Sequence, residues 1–73
     1  MKIGDRVEVT TLPRVRNKFI KVGDTGRIIT YREMSGRIFV GVEFDKCING
    51  HNCNSIGKDN HCAWISKNYL KVI

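Results

Sequence analysis

A chain of 73 residues, 41% of them hydrophobic, is long enough for one small domain and too apolar for a disordered segment. So short a chain leaves little room for an enclosed active-site cleft, which argues against catalysis, and it has no apolar run near the ~18 residues of a membrane helix. Thirteen Lys and Arg against seven Asp and Glu give a net charge of +6, which favours an anionic partner. The start of the chain is not typical of a signal peptide, and its three cysteines indicate a cytoplasmic protein with reduced thiols.

The first predicted strand is marked by Val7 and Val9, which alternate with polar residues. Residues 10–22 break this alternation and contain the single proline, so they predict a long exposed loop. We expect apolar side chains of this loop to anchor it, the candidates being Leu12, Val15, Phe19 and Ile20.

Glycine-marked turns separate two further predicted strands. A turn at residues 23–26 leads into the second strand, residues 27–32, and Met34-Ser35-Gly36 predicts a hairpin connection. The third strand has the clearest alternation in the chain, which places four apolar side chains in the core: Ile38, Val40, Val42 and Phe44.

A long polar loop and two short strands complete the predicted fold. Residues 46–61 contain four asparagines and no periodicity, and a loop of this length in a small domain is often functional or internally braced. Residues 63–65 predict a fourth strand, with Trp64 in or beside the core, and residues 69–73 a closing strand. The predicted fold class is therefore all-β: a five-stranded barrel forming one domain over residues 1–73.

The first half of the chain carries Gly4-Asp5-x-Val7-x-Val9 and Gly23-x-x-Gly26-x-Ile28, and the second half Val42-x-Phe44-Asp45 and Ser66-Lys67-Asn68-Tyr69-Leu70. The order of these motifs resembles that of KOW-type and other SH3-like barrels. The segment Gly50-His51-Asn52-Cys53 with His61-Cys62-Ala63-Trp64 resembles short proteins of unassigned role encoded by phages and prophages of Gram-positive bacteria. The resemblance implies an SH3-like barrel and a phage context, and it implies no activity. The basic loop replaces the acidic loop of peptide-binding SH3 domains, so we do not expect recognition of proline-rich peptides.

Five potential metal ligands fall within sixteen residues: Cys47, His51, Cys53, His61 and Cys62. They include no Cys-x-x-Cys pair, and adjacent side chains point apart in an extended chain, so we predict neither a metal nor another cofactor. A structural zinc that braces the long loop stays open as a less favoured alternative. The favoured interpretation is that Cys62 packs as a small apolar residue while His51 and Asn52 hydrogen-bond the loop backbone. A nucleophile formed by His51 and Cys53 stays open as the less favoured alternative, and we predict no enzyme.

The favoured function is electrostatic binding of nucleic acid through the basic loop and the adjoining strands. Lys and Arg supply phosphate contacts, and exposed aromatic rings stack on the bases of single strands. The predicted site residues are Arg14, Arg16, Lys18, Lys21, Arg27, Arg37 and Phe39, and Arg32 and Tyr31 are further candidates nearby. Alternatively, Tyr31 and Phe39 cover a small hydrophobic cluster under the 46–61 loop.

The alternative function is a protein-interaction module that docks a phage or host protein. Its surface would combine the 46–61 loop with the C-terminal edge, and its predicted residues are His51, Asn52, Trp64 and Tyr69. We expect a monomer with no membrane association in either case.

Overall fold

The computed structural model describes residues 1–11, 18–53 and 55–73, which form an all-β fold. Its strands are β1 (Arg6–Val9), β2 (Thr25–Met34), β3 (Arg37–Phe44), β4 (Cys62–Ser66) and β5 (Leu70–Val72), with a 3-10 helix at Lys67–Tyr69. They form one antiparallel sheet in the order β4-β3-β2-β1-β5, so the predicted five-stranded all-β class is confirmed. No helix in the described part of the chain has the length and hydropathy of a membrane span.

The connection between β2 and β3 consists of Ser35 and Gly36, since Met34, which the sequence predicts as part of the connection, belongs to β2. Ser35 and Gly36 both have positive φ angles, 52° and 77°. Two such residues in succession give the turn whose twist matches that of the flanking strands. The strands on either side are therefore held in register from Met34↔Arg37 onward.

The core lies on one face of the curved sheet, which we call the inner face. Val40, Val42 and Phe44 are buried there as predicted, and Ile20 anchors the loop between β1 and β2. The complete buried cluster comprises Val7, Val9, Ile20, Ile28, Val40, Val42, Phe44, Ile48, Ile65 and Leu70. Ile48 comes from the polar 46–61 loop, which therefore contributes to the core.

The prediction that Ile38 lies in the core is wrong, because its side chain is 37% exposed. It points to the inner face like Val40, but it lies near the tip of the β2–β3 hairpin. β1 has four residues and β2 has ten, so the hairpin extends beyond the region that the other strands cover. Ile38 instead lines a surface groove together with Tyr31.

A β-bulge in β2 reverses the orientation of the residues that follow it. Ile28 pairs with Val42, but Thr30 pairs with Gly41, so Ile29 is the extra residue. Beyond the bulge, Tyr31 shares the inner face with Val40, whereas Arg32 pairs with Phe39 on the opposite face. Tyr31 and Phe39 therefore lie on opposite faces of the hairpin and do not form one stacking surface.

A cluster of polar side chains joins β1, β2 and the end of β3. The Arg6 guanidinium donates two hydrogen bonds to the Asp45 carboxylate, at 2.8 and 2.6 Å, and the Thr25 hydroxyl donates a third at 2.6 Å. The hydrogen bonds from Arg6, and then that from Thr25, lower the pKa of Asp45 from 3.8 to about 2. The charged carboxylate is thus preferred in the folded state.

The stability of the protein should therefore fall in acid. A depressed pKa contributes stability above the unfolded value, near pH 4, and this contribution disappears as the pH falls through about 2. We expect Asp45→Asn to lower the urea midpoint slightly at pH 7, because both groups are half exposed, and to lower it less as the pH approaches 2. Urea unfolding of the wild type and of Asp45→Asn between pH 7 and pH 2 checks this prediction. A difference between the two urea midpoints that stays the same at every pH would contradict it.

Candidate nucleic-acid interface

The structure describes only some of the residues of the predicted basic surface. Arg14 and Arg16 lie outside the described residues. Lys18 and Lys21 are both exposed, and the Lys18 ammonium lies 5.4 Å from the centroid of the Phe19 ring. Of the predicted loop cations, these two are therefore available to a ligand at the surface.

The predicted strand residues lie on the face opposite the core, which we call the outer face, but at its two ends. Arg27 pairs with Glu43 in the sheet, and its guanidinium lies 3.9 Å from the Glu43 carboxylate. Phe39 lies four residues along β3, about 13 Å from Glu43 at the usual strand rise. Arg37 precedes it at the hairpin tip, so Arg37 and Phe39 are close together whereas Arg27 is apart from them.

A groove forms around Phe39, and it includes two residues outside the predicted set. We call it the outer-face groove; its volume is about 270 Å³, and its lining residues are Arg32, Met34, Phe39 and Trp64. Trp64 reaches this position because β4 pairs with β3 in a register that sets it opposite Gly41, on the outer face. Trp64 is therefore half-buried on this face rather than in the core.

Arg32 is held in a defined orientation within the outer-face groove. Its guanidinium carbon lies 5.1 Å from the centroid of the Trp64 ring, and its Nε donates to the Met34 sulfur at 3.1 Å. The His51 ring stacks near the same indole, with centroids 6.5 Å apart and planes at 27°. Aromatic rings and a cation therefore lie side by side on an open sheet face, an arrangement suited to stacking and to charge-assisted hydrogen bonds.

Four of the seven acidic side chains take part in ion pairs, none of which includes a lining residue of the outer-face groove, and Glu33 follows Arg32 in β2 outside these pairs. Four ion pairs connect Arg6 with Asp45, Arg27 with Glu43, Lys46 with Asp24, and Lys71 with Glu8. Arg32 and Arg37 take part in none of these four pairs. Their positive charge is therefore not offset by a salt bridge within the described part of the chain.

The 46–61 loop covers the other half of the outer face. It is fixed to β4 by two backbone hydrogen bonds between His51 and Cys62, at 2.9 and 3.0 Å. Cys53, which belongs to the loop, and Cys62, which begins β4, are both fully buried. The loop is thus internally braced, and it limits the exposed outer face to the end that carries the groove.

The buried thiols are not suited to nucleophilic chemistry. Burial, and then the neighbouring Cys62, raise the pKa of Cys53 to about 12, and burial also raises the pKa of Cys62. Both groups therefore stay protonated at neutral pH. His51 Nδ1 accepts a hydrogen bond from the Cys53 backbone N–H at 2.9 Å, so the ring is directed at the backbone rather than at the thiol.

The polar loop residues mainly hydrogen-bond the loop itself, as the favoured interpretation predicts. Asn52 accepts from the Ser55 N–H and donates to Asp59, both at 2.9 Å. His61 Nδ1 lies 3.2 Å from the Phe44 carbonyl oxygen. Within the described residues, no three His, Cys, Asp or Glu side chains converge as a metal site would require.

The residues of the alternative protein-binding surface do not form one patch. His51 and Trp64 stack on the outer face, and Asn52 lies in the loop beside His51. Tyr69 lies in the 3-10 helix and packs against the core cluster, with its carbonyl accepting the Thr10 N–H at 2.8 Å. Only the first three therefore remain as a surface next to the outer-face groove.

Gly41 allows the loop to pack against the sheet. A β-carbon at this position would lie 2.6 Å from the Thr30 methyl carbon and 2.9 Å from the Cys53 sulfur. Both separations are well inside van der Waals contact, so a side chain there must displace the Thr30 side chain of β2 and the Cys53 side chain of the loop.

We therefore expect Gly41→Ala to destabilise the protein by about 1–3 kcal/mol, the usual cost of overpacking. Displacement of the loop should also expose Cys53, so this thiol should react faster with a thiol reagent, as followed by peptide mass spectrometry. The exposed Cys47 is the internal control and should react at the same rate in both proteins. An unchanged urea midpoint with unchanged Cys53 labelling would show that the site tolerates a side chain.

No protein-family model matches the chain, and a search of curated proteins finds no match. The function must therefore be inferred from the residues and geometry of the chain itself.

Proposed function

We propose that the protein binds single-stranded nucleic acid through the outer-face groove. The observation that carries the proposal is the Arg32 guanidinium stacked 5.1 Å from the Trp64 ring centre, on the sheet face that also presents Phe39. Base stacking on aromatic rings contributes about 1–3 kcal/mol per base and needs an unpaired base. The groove geometry therefore favours single strands over duplexes.

Arg32 and Arg37 supply phosphate contacts at the groove, since both stand on the outer face near Phe39. Lys18 and Lys21 are exposed on the β1–β2 loop, and the Lys21 backbone N–H donates to Asp24 at 2.8 Å beside the start of β2, so Lys21 would contact a strand that runs along the sheet away from the groove. The contribution of Arg14 and Arg16 in the same loop stays a prediction. With a net charge of +6, the protein as a whole also attracts a polyanion.

The proposal includes an SH3-like barrel that acts as a binding module without catalysis, as a monomer in the cytoplasm. Two findings support this setting. Three cysteines are unpaired in the structure, as expected where thiols stay reduced. The two buried ones have raised pKa values, which suits structural rather than chemical roles.

A protein partner is the second candidate, and one observation favours it. Trp64 lies on β4, which is an edge strand, and its ring stacks with His51 of the loop. An aromatic anchor beside a strand edge is a common site for protein docking, and here the loop pairs with that edge only at Cys62 within the described residues. This candidate uses the same indole as the nucleic-acid site, so the two differ in their response to salt rather than in their location.

Salt dependence of binding separates the two candidates. Binding of a short, mixed-sequence, fluorescein-labelled oligonucleotide is measured by anisotropy, single-stranded and then as a duplex. For four phosphate contacts, we expect the single-strand affinity to fall about fifty-fold between about 50 and 200 mM salt, because each contact on a single strand contributes about 0.7 to the logarithmic slope. Absence of binding at low salt, or tighter binding of the duplex, would reject the proposal.

A further inference from the structure

A second groove lies on the inner side of the β2–β3 hairpin, away from the outer-face groove. We call it the apolar groove. Four of its lining residues are large, apolar and exposed: Met1 (51% exposed), Ile3 (56%), Tyr31 (65%) and Ile38 (37%). Single exposed apolar residues are ordinary, but a contiguous group of them around a concave surface is typical of an interaction site.

The shape of the apolar groove suits one or two bulky side chains. Its volume is about 540 Å³, and its floor is formed by Ile28 and Val40, both of which belong to the buried core. An apolar side chain entering the groove would therefore contact the core directly. The register keeps this site separate from the proposed nucleic-acid site, since Tyr31 faces inward with Val40 and Arg32 faces outward with Phe39.

The charged residues around the apolar groove indicate what charge its partner carries. Its charged lining residues are Lys2 and Lys67, and both are exposed. Glu33 is opposite Ile38 in the sheet but is not among the lining residues. A second copy of the chain is a poor occupant, because a symmetric contact would bring two +6 molecules together through their paired lysines. An acidic segment with an apolar anchor is complementary to both the walls and the charges.

We propose that the apolar groove binds an acidic peptide segment of a partner protein. One or two bulky apolar side chains of the peptide occupy the groove, and carboxylates beside them pair with Lys2 and Lys67. The protein then carries two independent sites on opposite faces of one hairpin, so that a bound nucleic acid and a bound protein can be held together. This inference does not depend on the proposed nucleic-acid function.

Selection from a library of random twelve-residue peptides tests the proposal, with the full-length protein as target. We expect enrichment of peptides that combine Asp or Glu with Leu, Ile, Phe or Trp. A synthetic peptide of the enriched sequence should bind at least tenfold more weakly to Ile38→Asp and measurably more weakly to Lys67→Glu. Ile56→Asp is the matched control, since it makes the same change at an exposed isoleucine in the 46–61 loop, and it should bind the peptide as the wild type does.

Three results would overturn the proposal. One is that no peptide is enriched. Another is that the enriched peptides are neutral or basic, or that they bind Ile38→Asp with the same affinity as the wild type. The third is self-association of the wild type in sedimentation equilibrium that Ile38→Asp abolishes, because the occupant would then be a second copy. Nucleic-acid binding is measured on the same variants; its loss in Ile38→Asp would show that the two sites are not independent.

Discussion

Replacing Ile48 with alanine should destabilise the protein by about 2–5 kcal/mol, the usual cost of truncating a buried isoleucine. Ile48 is fully buried in the core cluster, and its backbone N–H donates to the Asn60 carbonyl at 2.9 Å. The side chain thus ties the 46–61 loop to the barrel. A domain of this size has roughly 4–11 kcal/mol of stability in total, so the variant should unfold at a temperature at least about 10 °C lower.

Ile56→Ala is the matched control for this prediction. Ile56 belongs to the same loop, but its side chain is 56% exposed, so its truncation should change stability by less than about 0.5 kcal/mol. Thermal and urea unfolding of the two variants compare them directly. Equal losses of stability would mean that Ile48 does not anchor the loop.

Replacing Trp64 with leucine should weaken single-strand binding by about 1–3 kcal/mol, the cost of losing one base-stacking ring. This corresponds to a loss of affinity of roughly five- to 150-fold at constant salt. Leucine retains an apolar side chain on the half-exposed outer face, so the fold should persist, as the amide spectrum would show. The loss should be larger than for Arg27→Ala, because Arg27 lies at the other end of the face beside Glu43.

Tyr31→Leu provides the aromatic control for the Trp64 result. Tyr31 is 65% exposed, but the bulge in β2 turns it to the inner face. Its replacement should leave oligonucleotide affinity unchanged. An equal loss of affinity in both variants would place the bound strand on the inner side of the hairpin and would contradict the outer-face site.

The strands and most of the core were predictable because one face of the sheet is buried. Alternation then has period two, and it identifies Val7, Val9, Val40, Val42 and Phe44 as core residues, as the structure confirms. The hairpin connection was also predictable, since Ser35-Gly36 supplies the turn, although Met34 proved to be part of β2. Local chemistry determines both features, so the sequence alone is sufficient for them.

The candidate site was less predictable because a single extra residue sets its composition. The bulge at Ile29 moves Arg32 to the outer face and Tyr31 to the inner face, and no local signal in Ile28-Ile29-Thr30 marks it. Trp64 joins the site through the register of β4 against β3, which is a long-range pairing. Of the predicted set, Arg37 and Phe39 lie close together in the structure, but the partners that complete the groove depend on tertiary structure.

The role of the 46–61 loop also depends on long-range packing. Its composition predicts a polar segment, yet Ile48 and Cys53 are fully buried. The four apolar residues among these sixteen (Cys47, Ile48, Cys53 and Ile56) show no periodicity, so the burial of two of them follows only from the shape of the sheet beneath them. Gly41 is the one sequence feature that could have indicated this packing, since a glycine in the centre of a strand often marks the close approach of another segment.

An amide chemical-shift titration of labelled protein with a short single-stranded oligonucleotide tests the central claim most directly. The proposal predicts that the largest shifts fall on Arg32, Phe39, Trp64 and the Trp64 indole N–H at low salt, and that they shrink as salt is added. The amides around Tyr31 and Ile38 on the inner face should move less. Shifts confined to the inner face, or no shifts at low salt, would contradict binding of nucleic acid through the outer-face groove.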